Sequence, residues 1–305
     1  MSSFRSSALL IGLALTALAL SAQDPLKPEG AKQEPKKLRT VAIPDAVSVK
    51  DDQEKIAKWL EAKIGMPVEF TPVQDYAAAV VALATGKADL GWLGGVTTVQ
   101  AMQQSKGKVK PVFTSENNLK FKSYVIANKK LGVKKLEELK GKTFTFGNKT
   151  STSGHIMARF CLEQAGVDAE KFFAKVAYSG DHTKTVLDVA GGAVDCGVLN
   201  YTTFDRMLAD KDEKNASKRQ AAESVDIVWT TPKYVDYAWN ARTDIDDRLG
   251  KGTLEKIQAA FLALDPKNTT DAALLKIRGG SKYVGVKPQQ WDGIKAVLEK
   301  IDVSK

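Results

Sequence analysis

The chain has 305 residues, 43% hydrophobic and 27% charged, with a formal net charge of +9. This is an ordinary globular composition, long enough for about two lobes or domains with buried cores. The basic balance would suit nucleic acid, but no zinc-finger spacing or aromatic ribonucleoprotein motif accompanies it, so nucleic acid is excluded as an expected partner and anionic small ligands fit better.

In chain order, the first segment reads as a secretory signal peptide over residues 1–22. MSSFRSS carries one Arg, Ala8 to Leu20 is an apolar stretch relieved by Gly12 and Thr16, and Ser21-Ala22 supplies small residues. The stretch is too short for a comfortable permanent anchor. No Cys follows it, so the expectation is an exported, periplasmic protein without a lipid anchor. Residues 23–37, QDPLKPEGAKQEPKK, have three prolines and almost no apolar content and read as a disordered linker.

From Leu38 onward, short apolar strands alternate with amphipathic helices. LRTVAIP, DDQEKIAKWLEAKIG, VEFTPV, DYAAAVVALATG and ADLGWLG give β-α-β-α-β. From Lys142 the order recurs in TFTFGN, GHIMARFCLEQAG, KVAYSG, TKTVLDVAGG and VDCGVL. Alternation of this kind predicts an α/β protein with largely parallel, doubly wound sheets.

The ends of the two runs align. Residues 84–93 and 190–199 share A-x-G-x-[AV]-D-x-G-x-L. Gly86 and Gly192 are expected as the helix C-caps, where positive φ is needed, and Asp89 and Asp195 as the starts of the next strands. Counting back from those aspartates places Tyr76 opposite His182 and Asp75 opposite Asp181. Two equivalent lobes then present Tyr76 and His182 at strand-to-helix turns, where open α/β sheets bind ligands.

Thr150, Ser151, Thr152, Ser153 and Gly154 lie between TFTFGN and the following helix. A single hydroxyl there would be an ordinary N-cap. Ser151 to Ser153, three of them at the helix start itself, with its exposed N–H groups and macrodipole, suit an oxyanion. Ser48 occupies the matching turn of the first run, and residues 92–98, WLGGVTT, form another Gly- and hydroxyl-bearing turn before a helix. Cys161 and Cys196 are the only cysteines. An exported location permits a disulfide, but positions on a helix and a buried strand favour two free thiols, and the pairing stays open. Two cysteines and two histidines without metal spacing argue against a metal site, and no cofactor is implied.

YSGDHTKTVLDVAGGAVD (178–195), preceded by STSGH (151–155), resembles the phosphate/phosphite/phosphonate substrate-binding proteins of ABC importers. FKSYVIA (121–127) and VWTTPKYVDYAWNAR (228–242) are most similar to a subgroup described as selenate-binding. The resemblance implies a type II periplasmic binding protein: two α/β lobes joined by crossover hinge strands. The expected division is 38–127 plus 234–305 for lobe 1 and 128–233 for lobe 2, hinged near Ala127 and Lys233. It further implies ligand contacts from Tyr76, Ser151, Thr152, Ser153, His182 and Asp236, with Phe121 where relatives often carry Tyr. The partners implied are a small tetrahedral oxyanion (phosphonate, phosphite or phosphate), a membrane permease and its cytoplasmic ATPase, with the binding protein a monomer.

A carboxylate such as Asp236 beside an anion is repulsive unless a proton lies between them. Protonated phosphorus oxyanions supply one; sulfate and selenate, fully ionised at neutral pH, do not. Selenate binding, a ligand-presenting role toward a membrane sensor, and a hydrolase using Ser153, His182 and Asp181 are the alternatives. The last lacks a G-x-S-x-G elbow.

Overall fold

The computed structural model describes residues 36–44, 49–278 and 280–301. The expected signal peptide, nearly all of the linker and Ser48 lie outside them. Among the described residues no helix is long and apolar enough to cross a membrane.

The first run forms β1 (Leu38–Ala42), α1 (Val49–Ile64), β2 (Val68–Phe70), α2 (Tyr76–Ala84) and β3 (Leu90–Leu93), followed by α3 (Gly95–Gln104), β4 (Val109–Ser115) and β5 (Ser123–Asn128). The second forms β6 (Thr143–Phe146), α4 (Met157–Gln164), a short α5 (Ala169–Phe172), β7 (Lys175–Tyr178), α6 (His182–Ala190), β8 (Cys196–Asn200), α7 (Tyr201–Ala209) and β9 (Val225–Thr230). Later come β10 (Ala238–Arg242) and β11 (Tyr283–Gly285). α1 carries Asp51 and Asp52 in its first turn and Lys63 in its last, which complements the helix dipole.

Two sheets result, with strand orders β11-β4-β10-β3-β1-β2 and β7-β6-β8-β5-β9. Apart from the extra edge strand β11, the orders superpose: β2, β1, β3, β10, β4 correspond to β7, β6, β8, β5, β9. Parallel pairing joins the three strands of each β-α-β-α-β run. Each sheet is mixed: β11 is antiparallel to β4, and the strand that enters each sheet after the chain crosses over, β10 or β5, lies antiparallel between two strands of that sheet. Such a strand follows a short connection and has no helical crossover to turn it parallel.

The chain passes between sheets twice, over residues 116–122 and 231–237. The two connections meet in an antiparallel bridge, where Phe121 N donates to Tyr234 O at 2.8 Å and Tyr234 N to Phe121 O at 2.9 Å. β5 hydrogen-bonds entirely within the second sheet. Ala127, the expected boundary and hinge, therefore lies inside a strand, and the crossing precedes Ser123. FKSYVIA is a short strand-like run with apolar residues on both sides of Lys122 and Ser123, so its pattern carries no mark of where one sheet is left for the other.

One apolar cluster fills the first sheet, from Leu38 and Leu60 to Trp239 and Phe261. Two cover the faces of the second, around Phe144 and Leu162 and around Val186 and Leu199. A fourth joins Val96, Val99, Trp291 and Ile294 to Ile156 and Met157 at the start of α4. This last cluster belongs to both halves and sits directly beside the hydroxyl run.

Candidate functional site

The hydroxyl run divides its labour. Asn148 Oδ1 accepts from Thr150 N and Thr150 Oγ1, both at 2.9 Å, which turns the chain out of β6. Ser151 is the N-cap, its Oγ accepting from Gly154 N at 3.0 Å. Thr152 Oγ1 accepts from Val96 N at 2.8 Å, a bond that crosses from the second sheet's helix to the first sheet's α3. Ser153 Oγ is fully buried, with the Tyr234 hydroxyl as its neighbour. One cap was needed, and the structure uses one.

The turn itself is wider than an α-turn. Residues Thr152–Ile156 are π-helical, with Ile156 N donating to Ser151 O at 3.0 Å, before α4 begins. Such wide turns gather at functional sites. Gly154 is pressed between neighbours: a Cβ there would lie 2.9 Å from His182 Cε1 and 3.1 Å from Ser151 Oγ. Only glycine lets His182 approach this backbone.

The internal register appears as equal geometry. Asp75 and Asp181 are N-caps of α2 and α6 with φ −151° and −150°, accepting from Ala78 N at 2.7 Å and Lys184 N at 2.8 Å. The C-caps are Thr85 and Gly191, and Gly86 and Gly192 stand one residue beyond them with φ of 80° and 77°, where the left-handed residue that ends a helix falls. Asp89 accepts from Arg39 N at 3.0 Å, and Asp195 from Thr143 N at 2.8 Å, each tying its strand to the neighbouring parallel strand. Tyr76 and His182 consequently stand as the first residues of equivalent helices, both buried. His182 Nδ1 accepts from Asn200 N at 3.3 Å. A neutral imidazole accepting at Nδ1 carries its proton on Nε2, which makes that buried nitrogen a donor.

Asp236 meets this group from the second crossover. Its carboxylate is fully buried, and Oδ1 accepts from Gly95 N, in the first turn of α3, at 2.8 Å. The backbone is pinned on both sides: Asp236 N donates to Asn118 O at 2.9 Å and Trp291 Nε1 donates to Asp236 O at 3.0 Å. A Cβ on Gly94 would lie 3.3 Å from both Asp236 Oδ1 and Thr152 Oγ1. The WLGGVTT turn thus puts a helix N-terminus opposite the hydroxyl run, where its dipole offsets the Asp236 charge.

Phe121 lies one layer away. Its ring packs edge-on against Tyr201 and Tyr237, centroids 4.9 and 5.2 Å apart, and Trp92 stacks on Tyr237 at 5.6 Å. With Trp92, Asn118, Asn200 and Tyr237 it lines a cavity of about 30 Å³. Asn200 is the residue whose N–H holds His182, so this cavity adjoins the group just described.

Two further residues belong here that sequence reasoning did not single out. Ser123, the first residue of β5, places its Oγ 2.7 Å from Ser153 O and 2.5 Å from Tyr234 Oη. Both stand in stretches noted for other reasons, FKSYVIA and VWTTPKYVDYAWNAR, but a lone Ser at a strand start carries no signal. The other histidine is structural: burial holds His155 down to about 4, and its Nε2 accepts from Arg159 Nε at 3.1 Å.

Nothing here forms a nucleophile–base–acid chain. Asp181 is spent on capping α6, and His182 Nδ1 receives a backbone N–H where a triad requires a carboxylate. Among the described residues no His, Cys, Asp or Glu cluster could hold a metal ion.

A family model described as the periplasmic substrate-binding protein of the phosphonate ABC transporter matches residues 41–291. The chain is 33% identical, over 277 residues, to the probable ABC transporter phosphite binding protein PhnD1 of Prochlorococcus marinus (88% of this chain, 91% of that one). The structure of that organism's PhnD1 in complex with methylphosphonate superposes with a TM-score of 0.77 at 31% identity, covering 87% of this chain and 98% of the other. Identity to the phosphonates-binding periplasmic protein of Escherichia coli is 25% over 236 residues, 73% of this chain and 66% of that protein. The two sheets are accordingly the lobes of a type II periplasmic binding protein, working outside the cytoplasm with a small ligand and a membrane permease as partners. The chain belongs to the phosphonate-binding family of periplasmic ABC-transporter substrate-binding proteins, which bind solutes and are not enzymes.

Proposed function

We propose that this protein binds a singly protonated tetrahedral phosphorus oxyanion, phosphite or a small phosphonate such as methylphosphonate, in the crevice between its lobes. The observation that carries this reading is Asp236: a fully buried carboxylate on the N-terminus of α3, beside Thr152. A phosphorus oxyanion that keeps one proton donates it to that carboxylate. Sulfate and selenate bring only lone pairs, and the unpaired repulsion rejects them. The family resemblance near the selenate-binding subgroup is outweighed by this charge argument, and the methylphosphonate held by the Prochlorococcus protein agrees with it.

Ser151, Thr152 and Ser153, with the first-turn amides of their helix, hold the anion's oxygens. His182 Nε2 donates one further bond, Tyr76 closes the seat from the other lobe, and Phe121 backs it with an apolar ring that offers no hydroxyl. The lobes comprise 36–122 with 231–301 and 123–230, hinged where Phe121 and Tyr234 pair. The protein is a monomer, exported by its N-terminal signal peptide, that delivers its ligand to a permease powered by a cytoplasmic ATPase.

Calorimetric titration with phosphite, methylphosphonate, phosphate, sulfate and selenate tests this. Phosphite or methylphosphonate binds tightest to the wild type. Asp236→Asn weakens the protonated ligands by about 10- to 100-fold, the worth of a hydrogen bond to a charged group, and weakens sulfate less. A wild-type preference for selenate overturns the reading.

A further inference from the structure

Ser123 is fully buried, and its hydroxyl contacts two oxygens, Ser153 O at 2.7 Å and Tyr234 Oη at 2.5 Å. A carbonyl oxygen only accepts, and a serine hydroxyl has one proton. That proton is committed to Ser153 O. The phenol must therefore supply the proton of the second bond, and Tyr234 Oη keeps only lone pairs for any other neighbour. Burial pushes the Tyr234 phenol well above its usual range and the Asp236 charge pushes it further, so it stays protonated; the hydroxyls of Ser123 and Ser153 pull the other way. Ser153 Oγ is thus adjacent to an oxygen that has already given its proton away.

We propose that Ser123 and Tyr234 are positioning residues that set the proton count of the oxyanion seat. With the Tyr234 proton locked onto Ser123, the oxygens of Tyr234 and Ser153 hold one proton between them. Ser153 Oγ donates that proton to the bound anion, and Tyr234 Oη, left with lone pairs, accepts the proton the anion keeps. This rests on the oxyanion reading above and deepens it, because it supplies an acceptor for a protonated ligand that does not depend on Asp236. It also ties the seat to the hinge. Ser123 N donates to Thr231 Oγ1 at 2.9 Å and Thr231 N to Ser123 O at 3.1 Å, so both crossovers and the first turn after Ser151 share this residue.

The test titrates Tyr234→Phe and Ser123→Ala with phosphite and, as the fully ionised probe, sulfate. Tyr234→Phe removes an acceptor, so phosphite affinity falls about tenfold while sulfate affinity holds or rises. Ser123→Ala releases the phenolic proton, Tyr234 becomes able to donate, and the phosphite-to-sulfate affinity ratio drops because sulfate improves. Equal losses for both anions, or no change in either variant with folding intact by circular dichroism, overturns the proposal. Should Tyr234→Phe fail to fold, Ser123→Ala decides alone, since a ratio moving toward sulfate has no merely structural cause. Failure of the ligand reading is separable: it appears in the wild type, as sulfate or selenate binding tighter than phosphite.

Discussion

His155 follows the hydroxyl run directly, yet its ring turns away from the seat. Its Nδ1 lies 2.7 Å from Lys149 O, Arg159 Nε donates to its Nε2, and Arg159 in turn pairs with Glu170 at 2.6 Å. The ring must be neutral to accept from a guanidinium, and burial lowers it from 6.5 to about 4. The unfolded chain takes up a proton near 6.5 that the folded chain refuses until about 4, so stability falls as pH drops through that window. The full effect is about 3 kcal/mol. Urea unfolding at pH 7.5 and pH 5 should show the loss, and His155→Gln should shrink it. Gly154 makes a different kind of claim. Gly154→Ala drives a methyl into His182 Cε1 and Ser151 Oγ at once. It should cost about 1–3 kcal/mol by overpacking and a larger share of ligand affinity, read by calorimetry and thermal melts on the same sample.

Between elements, equivalence of geometry does not mean equivalence of energy. Asp75→Ala and Asp181→Ala each remove a cap of the same shape and should each cost about 1 kcal/mol. Asp89 and Asp195 occupy matching registers but carry different loads. Asp89 is fully buried and takes two arginines, Arg39 at 2.9 Å and Arg248. Asp195 accepts from the N–H and hydroxyl of Thr143, both at 2.8 Å. Asp89→Ala strands two guanidinium groups and should cost about 3–5 kcal/mol, whereas Asp195→Ala leaves one amide and one hydroxyl unsatisfied, about 1–3 kcal/mol. Denaturant midpoints of the four variants would rank them; equal losses at Asp89 and Asp195 would refute the comparison.

At the scale of the molecule, direct contacts join the start of α4 to α3 across the two sheets. Val96 N donates to Thr152 Oγ1, and Val96 and Val99 pack with Ile156 and Met157 in one apolar cluster. Thr152→Val keeps the shape but removes the acceptor, leaving a buried N–H that closure can no longer satisfy. The variant should populate a more open form, with a larger radius of gyration by X-ray scattering that saturating phosphite reduces less than in the wild type. Cys161 and Cys196 lie free and buried in the second lobe, burial pushing Cys161 up to about 11 and Cys196 higher still. Both thiols should resist a thiol reagent in the native protein and react after unfolding.

Sequence alone determined whatever depends on neighbours along the chain. Strand and helix alternation, the capping aspartates, the positive-φ glycines and the paired positions of Tyr76 and His182 all follow from local periodicity and turn chemistry, and the duplicated motif made the equivalence of the two runs readable. Tertiary structure decided what depends on distant neighbours. It placed β5 in the second sheet and β10 in the first, set the carboxylate of Asp236 on an amide 141 positions earlier, and joined Ser123 to Tyr234 and Ser153. Periodicity reports which face of an element is buried, but not which other element buries it. Partners across a crossover share no spacing that a linear pattern could reveal, and proton direction in a buried hydroxyl chain exists only once all its members are in contact.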